Sequence, residues 1–219
     1  MADEKKLTPV EVIKSESRLL RGTIPDDLAD SESEQFAKPN TQLLKFHGTY
    51  QQDDRDLRNI PGPDGKKKKH FSMMTRSRIP GGNMTAEQLI AHLDICDELG
   101  NATLKITTRQ TLQLHGILKK DLRETMQRIN NVHLSTLAAC GDVNRNVMCC
   151  PAPTDDAVHQ EMRRLTNALV EHLAPSTAAY YELWLKDEET GEKTLLAKEE
   201  PEVEPIYGPT YLPRKFKIA

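Results

Sequence analysis

The sequence contains no long apolar run. No stretch within its 219 residues approaches the roughly 20 apolar residues of a membrane-spanning helix. The N-terminus, Met1 to Lys6, also lacks the apolar core of a secretory signal. We therefore expect a protein that has no membrane partner and resides in the cytoplasm.

Cysteine is scarce, since the chain has only Cys96, Cys140, Cys149 and Cys150. A disulfide framework is not expected in a cytoplasmic protein of this size. The adjacent Cys149 and Cys150 match neither the Cys-x-x-Cys spacing of a metal knuckle nor the spaced cysteines of a cluster-binding motif. The sequence thus predicts no metal ligands, and the four thiols are expected to be buried as small apolar side chains.

An excess of positive charge is absent as well, because the formal net charge is -3. The one basic run, Lys66 to Lys69, ends a segment that begins at Asn59 and contains two prolines and two glycines. No aromatic residues alternate with these lysines, as they do in many nucleic-acid surfaces. We interpret the run as a solvated loop and expect no nucleic-acid partner.

Between residues 71 and 140 the sequence predicts alternating strands and helices. The predicted elements are a strand at Phe71–Ile79, a helix from Thr85 to Gly100, strands on either side of residues 107–110, a helix capped at Asp121, and a strand at Ser135–Cys140. Thr85 and Gln88 have the spacing of a capping box, which makes this helix start the clearest local signal. The order is that of the ferredoxin-like split β-α-β-β-α-β arrangement, so the predicted fold class is α+β.

Three parts of the chain follow from these patterns. Residues 1–69 are predicted to be an N-terminal arm and loop, residues 70–140 the ferredoxin-like half-domain, and residues 141–219 the start of a mixed α/β domain. In the third part, Thr154 is expected to cap a long helix, and two strands are expected around a turn at residues 189–192. Because Tyr211 to Ala219 alternates like a strand that has just begun, we expect the sequence to be part of a longer protein.

The segment from Lys105 to Gly116 is rich in hydrogen-bond donors. Apolar residues alternate on both sides of residues 107–110, which predicts two half-buried strands joined at a tip. Lys105, Arg109 and His115 are carried by these strands and their tip, and such a set suits an anionic ligand. A solvated hairpin end is the alternative, because exposed loops are usually polar.

Five motifs give the chain a family resemblance. They are Lys45-Phe46-His47-Gly48 with Tyr50-Gln51-Gln52, Arg76-Ser77-Arg78-Ile79-Pro80-Gly81-Gly82, Thr108-Arg109-Gln110-Thr111 with Gln113-Leu114-His115-Gly116, Asn144-Arg145-Asn146, and Leu212-Pro213-Arg214-Lys215-Phe216-Lys217. In this order and spacing they resemble the assimilatory sulfite and nitrite reductase family, and more closely its sulfite-reducing members. The motifs span most of the chain.

The resemblance implies an oxidoreductase that uses sirohaem coupled to a 4Fe-4S cluster and reduces sulfite to sulfide by six electrons, as in sulfate assimilation and cysteine biosynthesis. It places the start of the sirohaem-binding domain in residues 141–219. The residues matching the family's substrate cations are Arg76, Arg145, Lys215 and Lys217. The residues that resemble its sirohaem contacts are Lys105, Thr107, Arg109, Gln113 and His115.

The same resemblance leaves several points open. Cluster-binding cysteine pairs lie in the family's C-terminal half and are expected beyond this sequence, so this part alone is expected to be inactive. The electron donor is either ferredoxin or an NADPH-dependent flavoprotein. Ferredoxin-dependent nitrite reductase is the alternative enzyme, although members of that type resemble Asn where this chain has Lys217. A non-catalytic ferredoxin-like binding module is the alternative outside enzymes.

Overall fold

A four-stranded antiparallel sheet carries the polar residues of the central motifs. In this computed structural model, which describes residues 7–177, 179, 182–186, 193–198, 206–208 and 210–219, the sheet has the order β1-β2-β4-β3. Its strands are β1 (Thr49–Asp53), β2 (Phe71–Arg76), β3 (Leu104–Ile106) and β4 (Leu112–Ile117). Strands β3 and β4 flank the tip at residues 107–110, as the alternation predicted.

One face of this sheet is buried against two helices, α4 (Ala86–Glu98) and α5 (Leu122–Asn131). A cluster of buried apolar side chains forms the core between them. Its buried members include Leu44, Met73, Ile95, Cys96, Leu114, Ile117, Leu122 and Ile129. Because one face of the sheet is covered in this way, Arg76, Gln113 and His115 lie on the opposite face.

The N-terminal part adds three helices and a second core. These are α1 (Pro9–Ser15), α2 (Ile24–Ala29) and α3 (Lys38–Phe46). The second core joins the N-terminal residues to later parts of the chain, and it consists of Leu20, Leu43, Phe46, Ala138, Val143 and Tyr211. The arm is therefore packed onto the body of the protein. Within the described part of the chain, no helix is long and apolar enough to cross a membrane.

The predicted strand at Ser135–Cys140 was wrong. In this segment only Ser135 forms an isolated bridge, with Arg78, and the remaining residues have turn or irregular backbone. The fourth strand of the sheet is instead β1, which pairs along its whole length with β2. Strand β1 is an edge strand with the sequence Thr-Tyr-Gln-Gln-Asp. Because its residues are mostly polar, they show no apolar alternation from which a strand could be predicted.

The described part of the chain after residue 141 contains a helix and two antiparallel strands that pair with each other. Helix α6 (Ala157–His172) begins at Asp156, whose carboxylate accepts from the backbone N–H groups of Val158 and His159, so the predicted cap at Thr154 was wrong. Strands β5 (Glu182–Lys186) and β6 (Lys193–Lys198) confirm the predicted strand pair. The predicted turn at residues 189–192 lies outside the described residues.

The two helices on the sheet begin differently, and this provides a stability test. Thr85 and Gln88 form the predicted capping box, with hydrogen bonds of 2.9 and 3.2 Å, whereas the Asp121 side chain makes no cap hydrogen bond to α5. We expect Thr85→Ala to lower the free energy of unfolding by about 1 kcal/mol. Asp121→Ala should change the free energy of unfolding by only a few tenths of a kcal/mol. Urea denaturation measures both variants. Similar losses in both variants would contradict the assignment.

Candidate functional site

The polar face of the sheet begins with three residues in register. Arg76 at the end of β2 lies opposite Gln113 on β4, and Gln113 lies opposite Lys105 on β3. Directly opposed residues of antiparallel strands project from the same face, so these three side chains form one row. His115 follows two residues after Gln113 and lies on the same face.

Gln113 links Arg76 to His115. Its amide oxygen accepts hydrogen bonds from Nε of Arg76, at 3.0 Å, and from Nη2 of the same guanidinium. The amide nitrogen then faces Nε2 of His115 at 3.3 Å. On its other side Arg76 donates from Nη1 to Sγ of Cys140, at 3.0 Å. Neither acceptor is a carboxylate, so the guanidinium of Arg76 is oriented without a carboxylate partner.

The environment of His115 favours its neutral form. Burial lowers the pKa of His115 below 6.5, and the positive charges of Lys105 and Arg76 lower it further. The imidazole is therefore uncharged at neutral pH, and only one of its two ring nitrogens carries a proton. Lys105 itself is exposed, at the edge of the row.

Arg109 lies at the hairpin tip, but its guanidinium turns inward. Nη2 donates to the carbonyl oxygen of Asn146 at 2.8 Å and to that of Ile218 at 2.5 Å, and Nε also faces the Asn146 oxygen at 3.3 Å. Burial lowers the pKa of Arg109, as does the nearby charge of Arg145. The side chain thus joins the tip to two distant parts of the chain and comes close to Arg145.

Thr107 stabilises the tip from within. Its hydroxyl lies 2.6 Å from the hydroxyl of Thr111 and accepts from the backbone N–H groups of Thr111 and Arg109, at 3.2 and 3.3 Å. These contacts fix the turn that carries Arg109. The structure therefore gives Thr107 a local structural role beside the cofactor contact predicted for it.

Asn146 connects the segments that carry the predicted site residues. Its amide nitrogen donates to the carbonyl oxygens of Ile79, at 2.7 Å, and Arg109, at 2.9 Å, while its amide oxygen accepts from the Ile79 N–H at 3.0 Å. The residue is 2% exposed. Asn146 belongs to one of the motifs that carried the family resemblance, yet no local pattern distinguished it from its neighbour Asn144.

The C-terminal segment lies beside Arg145. The Arg145 N–H donates to the Phe216 carbonyl at 2.9 Å, and the Phe216 N–H donates to the Val143 carbonyl at 3.1 Å. This parallel pairing is a single bridge, so the predicted strand at Tyr211–Ala219 is an extended segment and not a regular strand. It brings the exposed Lys215 and Lys217, which flank Phe216, next to the segment of Arg145.

Arg145 is anchored by backbone oxygens. Nε donates to the Gly141 carbonyl at 3.0 Å, and Nη1 faces the Ala139 carbonyl at 3.5 Å. Gly141 has φ of +92°, and a Cβ there would lie 2.7 Å from the Phe46 ring. A glycine is therefore required at the turn that receives this guanidinium.

Tyr50 was not among the predicted site residues, although it belongs to the first motif. Burial raises the pKa of Tyr50, and its interaction with the Cys140 thiol, to which it is hydrogen-bonded, raises it further. The charges of Arg145 and Arg76 act in the opposite direction. The phenol thus lies among Cys140 and two of the predicted substrate cations.

The resulting site is strongly positive. Within the described residues, no carboxylate forms an ion pair with any of its six cations, which are Arg76, Lys105, Arg109, Arg145, Lys215 and Lys217. Uncompensated cations that are held in place attract anions, because the electrostatic gain is not opposed by an existing partner. The donor set therefore suits a group that carries several carboxylates, together with a small anion.

The cysteines do not form a metal centre. Cys96 and Cys140 are buried as predicted, but Cys149 is half-buried and Cys150 is exposed, so the expectation of four buried thiols was wrong. Hydrogen bonds from the backbone at Ala152 and from His159 lower the pKa of Cys150. Among the described residues, no group of three or more His, Cys, Asp or Glu side chains is placed to hold a metal ion.

Comparison with known proteins identifies the central part of this fold. The sequence profile of the nitrite/sulfite reductase ferredoxin-like half domain matches residues 64–132. These residues therefore correspond to that half domain. The α+β fold class and the ferredoxin-like half domain, both predicted from the sequence, are thereby confirmed.

The half domain and the residues around it are similar to sulfite reductase proteins over nearly the whole chain. The sulfite reductase [NADPH] hemoprotein beta-component of Staphylococcus saprophyticus is 53% identical over 97% of this chain and 36% of that protein. The Myxococcus xanthus protein of the same name is 49% identical over 98% of this chain and 37% of that protein. Sulfite reductase [NADPH] subunit beta of Schizosaccharomyces pombe is 48% identical over 99% of this chain and 15% of that protein.

These relatives confirm the family resemblance that the motifs indicated. The chain spans about a third of the length of the bacterial relatives quoted above. Among solved structures, the Mycobacterium tuberculosis NirA protein superimposes with a TM-score of 0.61 over 89% of this chain and 41% of that one. At 20% identity, this similarity concerns the fold alone.

Proposed function

We propose that the full-length protein is an assimilatory sulfite reductase that reduces sulfite to sulfide by six electrons. The observation that carries this proposal is the set of oriented cations around Arg76 and Arg145, which have no carboxylate partners within the described residues. Sulfite is a small dianion that loses hydration when it binds and is repelled by other anionic groups. Such a set of cations offsets both of these costs. About 50% identity to sulfite reductase hemoproteins over nearly the whole chain supports the same substrate.

We propose that sirohaem is the cofactor, coupled to a 4Fe-4S cluster, and that it supplies the electron transfer to sulfite. Lys105, Arg109, Gln113 and His115 would hold its carboxylate-bearing edge. Arg109 can do so through Nη1, which makes no hydrogen bond within the described residues, while Nη2 and Nε stay on the backbone. Thr107 would contribute mainly by fixing the tip.

The substrate residues divide into two chemical types. Arg76 and Arg145 would bind and orient sulfite, because an arginine is permanently charged and presents its donors in a rigid plane. Lys215 and Lys217 would deliver protons from Nζ as the oxygens of sulfite leave as water, because an ammonium group, unlike a guanidinium, can give up a proton. The cysteine ligands of the cluster are expected outside residues 1–219, and Cys149 and Cys150 take no part in this proposal.

For the electron donor we propose an NADPH-dependent flavoprotein. The names of the relatives specify NADPH, which favours this donor over ferredoxin. The pathway would then be sulfate assimilation for cysteine biosynthesis, located in the cytoplasm. Activity is expected of the full-length protein and not of residues 1–219 alone.

Lys217→Asn in the full-length protein tests the substrate assignment. Removing one charge-assisted contact should lower kcat/KM for sulfite roughly 10- to 100-fold. The loss for nitrite should be roughly threefold or less, because nitrite carries a single charge and depends less on the extra cation. Both rates are measured with a chemical electron donor, so that the identity of the natural donor does not enter.

Lys67→Asn is the matched control, since Lys67 is an exposed lysine of the loop before β2. It should leave both rates unchanged. Equal losses on sulfite and nitrite in the Lys217 variant would contradict the role of Lys217. A wild-type protein that reduces nitrite but not sulfite would reject the proposed function itself.

A further inference from the structure

Cys140 is the one buried thiol that contacts a predicted substrate residue. Its Sγ accepts from Nη1 of Arg76 at 3.0 Å, and the residue is fully buried. The other buried cysteine, Cys96, lies in the apolar core under the sheet. Packing of the apolar core therefore does not explain why Cys140 lies beside Arg76.

The guanidinium of Arg76 is held along both edges. Nε and Nη2 donate to the amide oxygen of Gln113, and Nη1 donates to the thiol of Cys140. Because a guanidinium is planar and rigid, acceptors on two edges fix both its position and the direction of its plane. The amide and the thiol together act as a clamp, which we call the Arg76 clamp.

The chemistry of the clamp differs from that of a second arginine, Arg58. Arg58 is also held at two donors, but by the carboxylate of Asp53, with both N···O distances at 2.6 Å. That carboxylate cancels the charge of Arg58. The Arg76 clamp contains no carboxylate, so it orients the cation while its charge remains available to an anion.

The backbone around Cys140 is fixed without the thiol. The Ala138 N–H donates to the Phe46 carbonyl at 2.9 Å, and the Ala139 N–H donates to the Thr136 carbonyl at 3.2 Å. Gly141 packs directly against the Phe46 ring. Removing only the sulfur is therefore expected to leave this turn in place and to release one edge of Arg76.

We propose that Cys140 is a positioning residue for anion binding, which acts by holding the guanidinium of Arg76 without neutralising it. The proposal rests on the function proposed above, in which Arg76 binds sulfite. It adds a residue that no sequence pattern marked. Tyr50 lies close to the same thiol, and their interaction raises the pKa of the Tyr50 phenol.

The test uses the full-length protein loaded with its cofactors. Cys140→Ala should raise the KM and the dissociation constant for sulfite about tenfold, the effect of one lost hydrogen bond to a charged group, with kcat changed less than about twofold. Cys140→Ser keeps a neutral acceptor and should recover most of the affinity. Cys96→Ala is the control for loss of a buried thiol and should leave sulfite affinity unchanged.

A double-mutant cycle separates positioning from a merely structural role. In an Arg76→Met background, Cys140→Ala should have no further effect on sulfite binding, measured by calorimetry, because the two residues act as one unit. An additive effect, or a fall in sirohaem content and melting temperature with unchanged sulfite affinity, would overturn the proposal. If Arg76→Met itself leaves sulfite binding unchanged, the proposed anion site is wrong. If Arg76→Met weakens sulfite binding but Cys140→Ala does not, only the proposed role of Cys140 is wrong.

Discussion

Asn146→Ala is expected to lower the free energy of unfolding by about 3 kcal/mol or more, because three backbone groups lose their partners and two of these hydrogen bonds are buried. These groups are the N–H and the carbonyl of Ile79 and the carbonyl of Arg109. Water cannot replace the amide easily, since Asn146 is 2% exposed. The loss should also loosen the hairpin tip, because Asn146 joins it to the loop after β2.

Asn144→Ala provides the matched control for this prediction. Asn144 is the same residue type, two positions earlier and 4% exposed, but its side-chain oxygen has no hydrogen-bond partner. Its replacement should therefore lower stability far less, since no backbone group is left unsatisfied. Urea denaturation followed by circular dichroism measures both. An Asn144 variant as unstable as the Asn146 variant would show that simple volume loss explains the effect.

Arg109→Ala is expected to reduce both stability and sirohaem content. Its guanidinium joins the hairpin tip to the carbonyls of Asn146 and Ile218, so its removal should lower the free energy of unfolding by about 2 kcal/mol, the range of a hydrogen bond to a charged group. Sirohaem content should fall as well, because the proposed cofactor contact is lost and the C-terminal segment is released.

Lys105→Ala distinguishes the two effects of Arg109. Lys105 is exposed on β3 and is proposed to face the same cofactor edge, and its side chain makes no hydrogen bond or ion pair within the described residues. Its removal should lower sirohaem content while leaving the unfolding free energy unchanged. The measurements are the sirohaem-to-protein ratio and the urea midpoint of each variant. If the Arg109→Ala variant is as stable as the Lys105→Ala variant, the inward hydrogen bonds of Arg109 contribute nothing to the free energy of unfolding.

Local interactions explain most of what was predictable. The capping box of Thr85 and Gln88 involves residues three apart, so its geometry follows from the local sequence. The strands around the tip were predictable because alternation reflects which side chains face a core. The five motifs indicated the family, and this indication needed only their order along the chain.

Other features were decided by contacts between distant segments. Strand β1 becomes an edge strand only because β2 is available to pair with it, and its polar side chains give no apolar alternation. Helix α6 is capped by Asp156 and not by Thr154, and the residue type alone did not distinguish them because both types can cap a helix. The predicted strand at Ser135–Cys140 failed for the opposite reason, because this segment finds only one bridging partner.

The sequence by itself determined the α+β class, the hairpin that carries Arg109 and the residue types of a cationic site. Only the tertiary structure decided how those cations are held. Arg109 turns inward to backbone carbonyls 37 and 109 residues away, and Arg76 is fixed by a thiol 64 residues away. The physical reason is that a guanidinium takes whichever acceptors the folded chain brings within reach, and no local pattern encodes them.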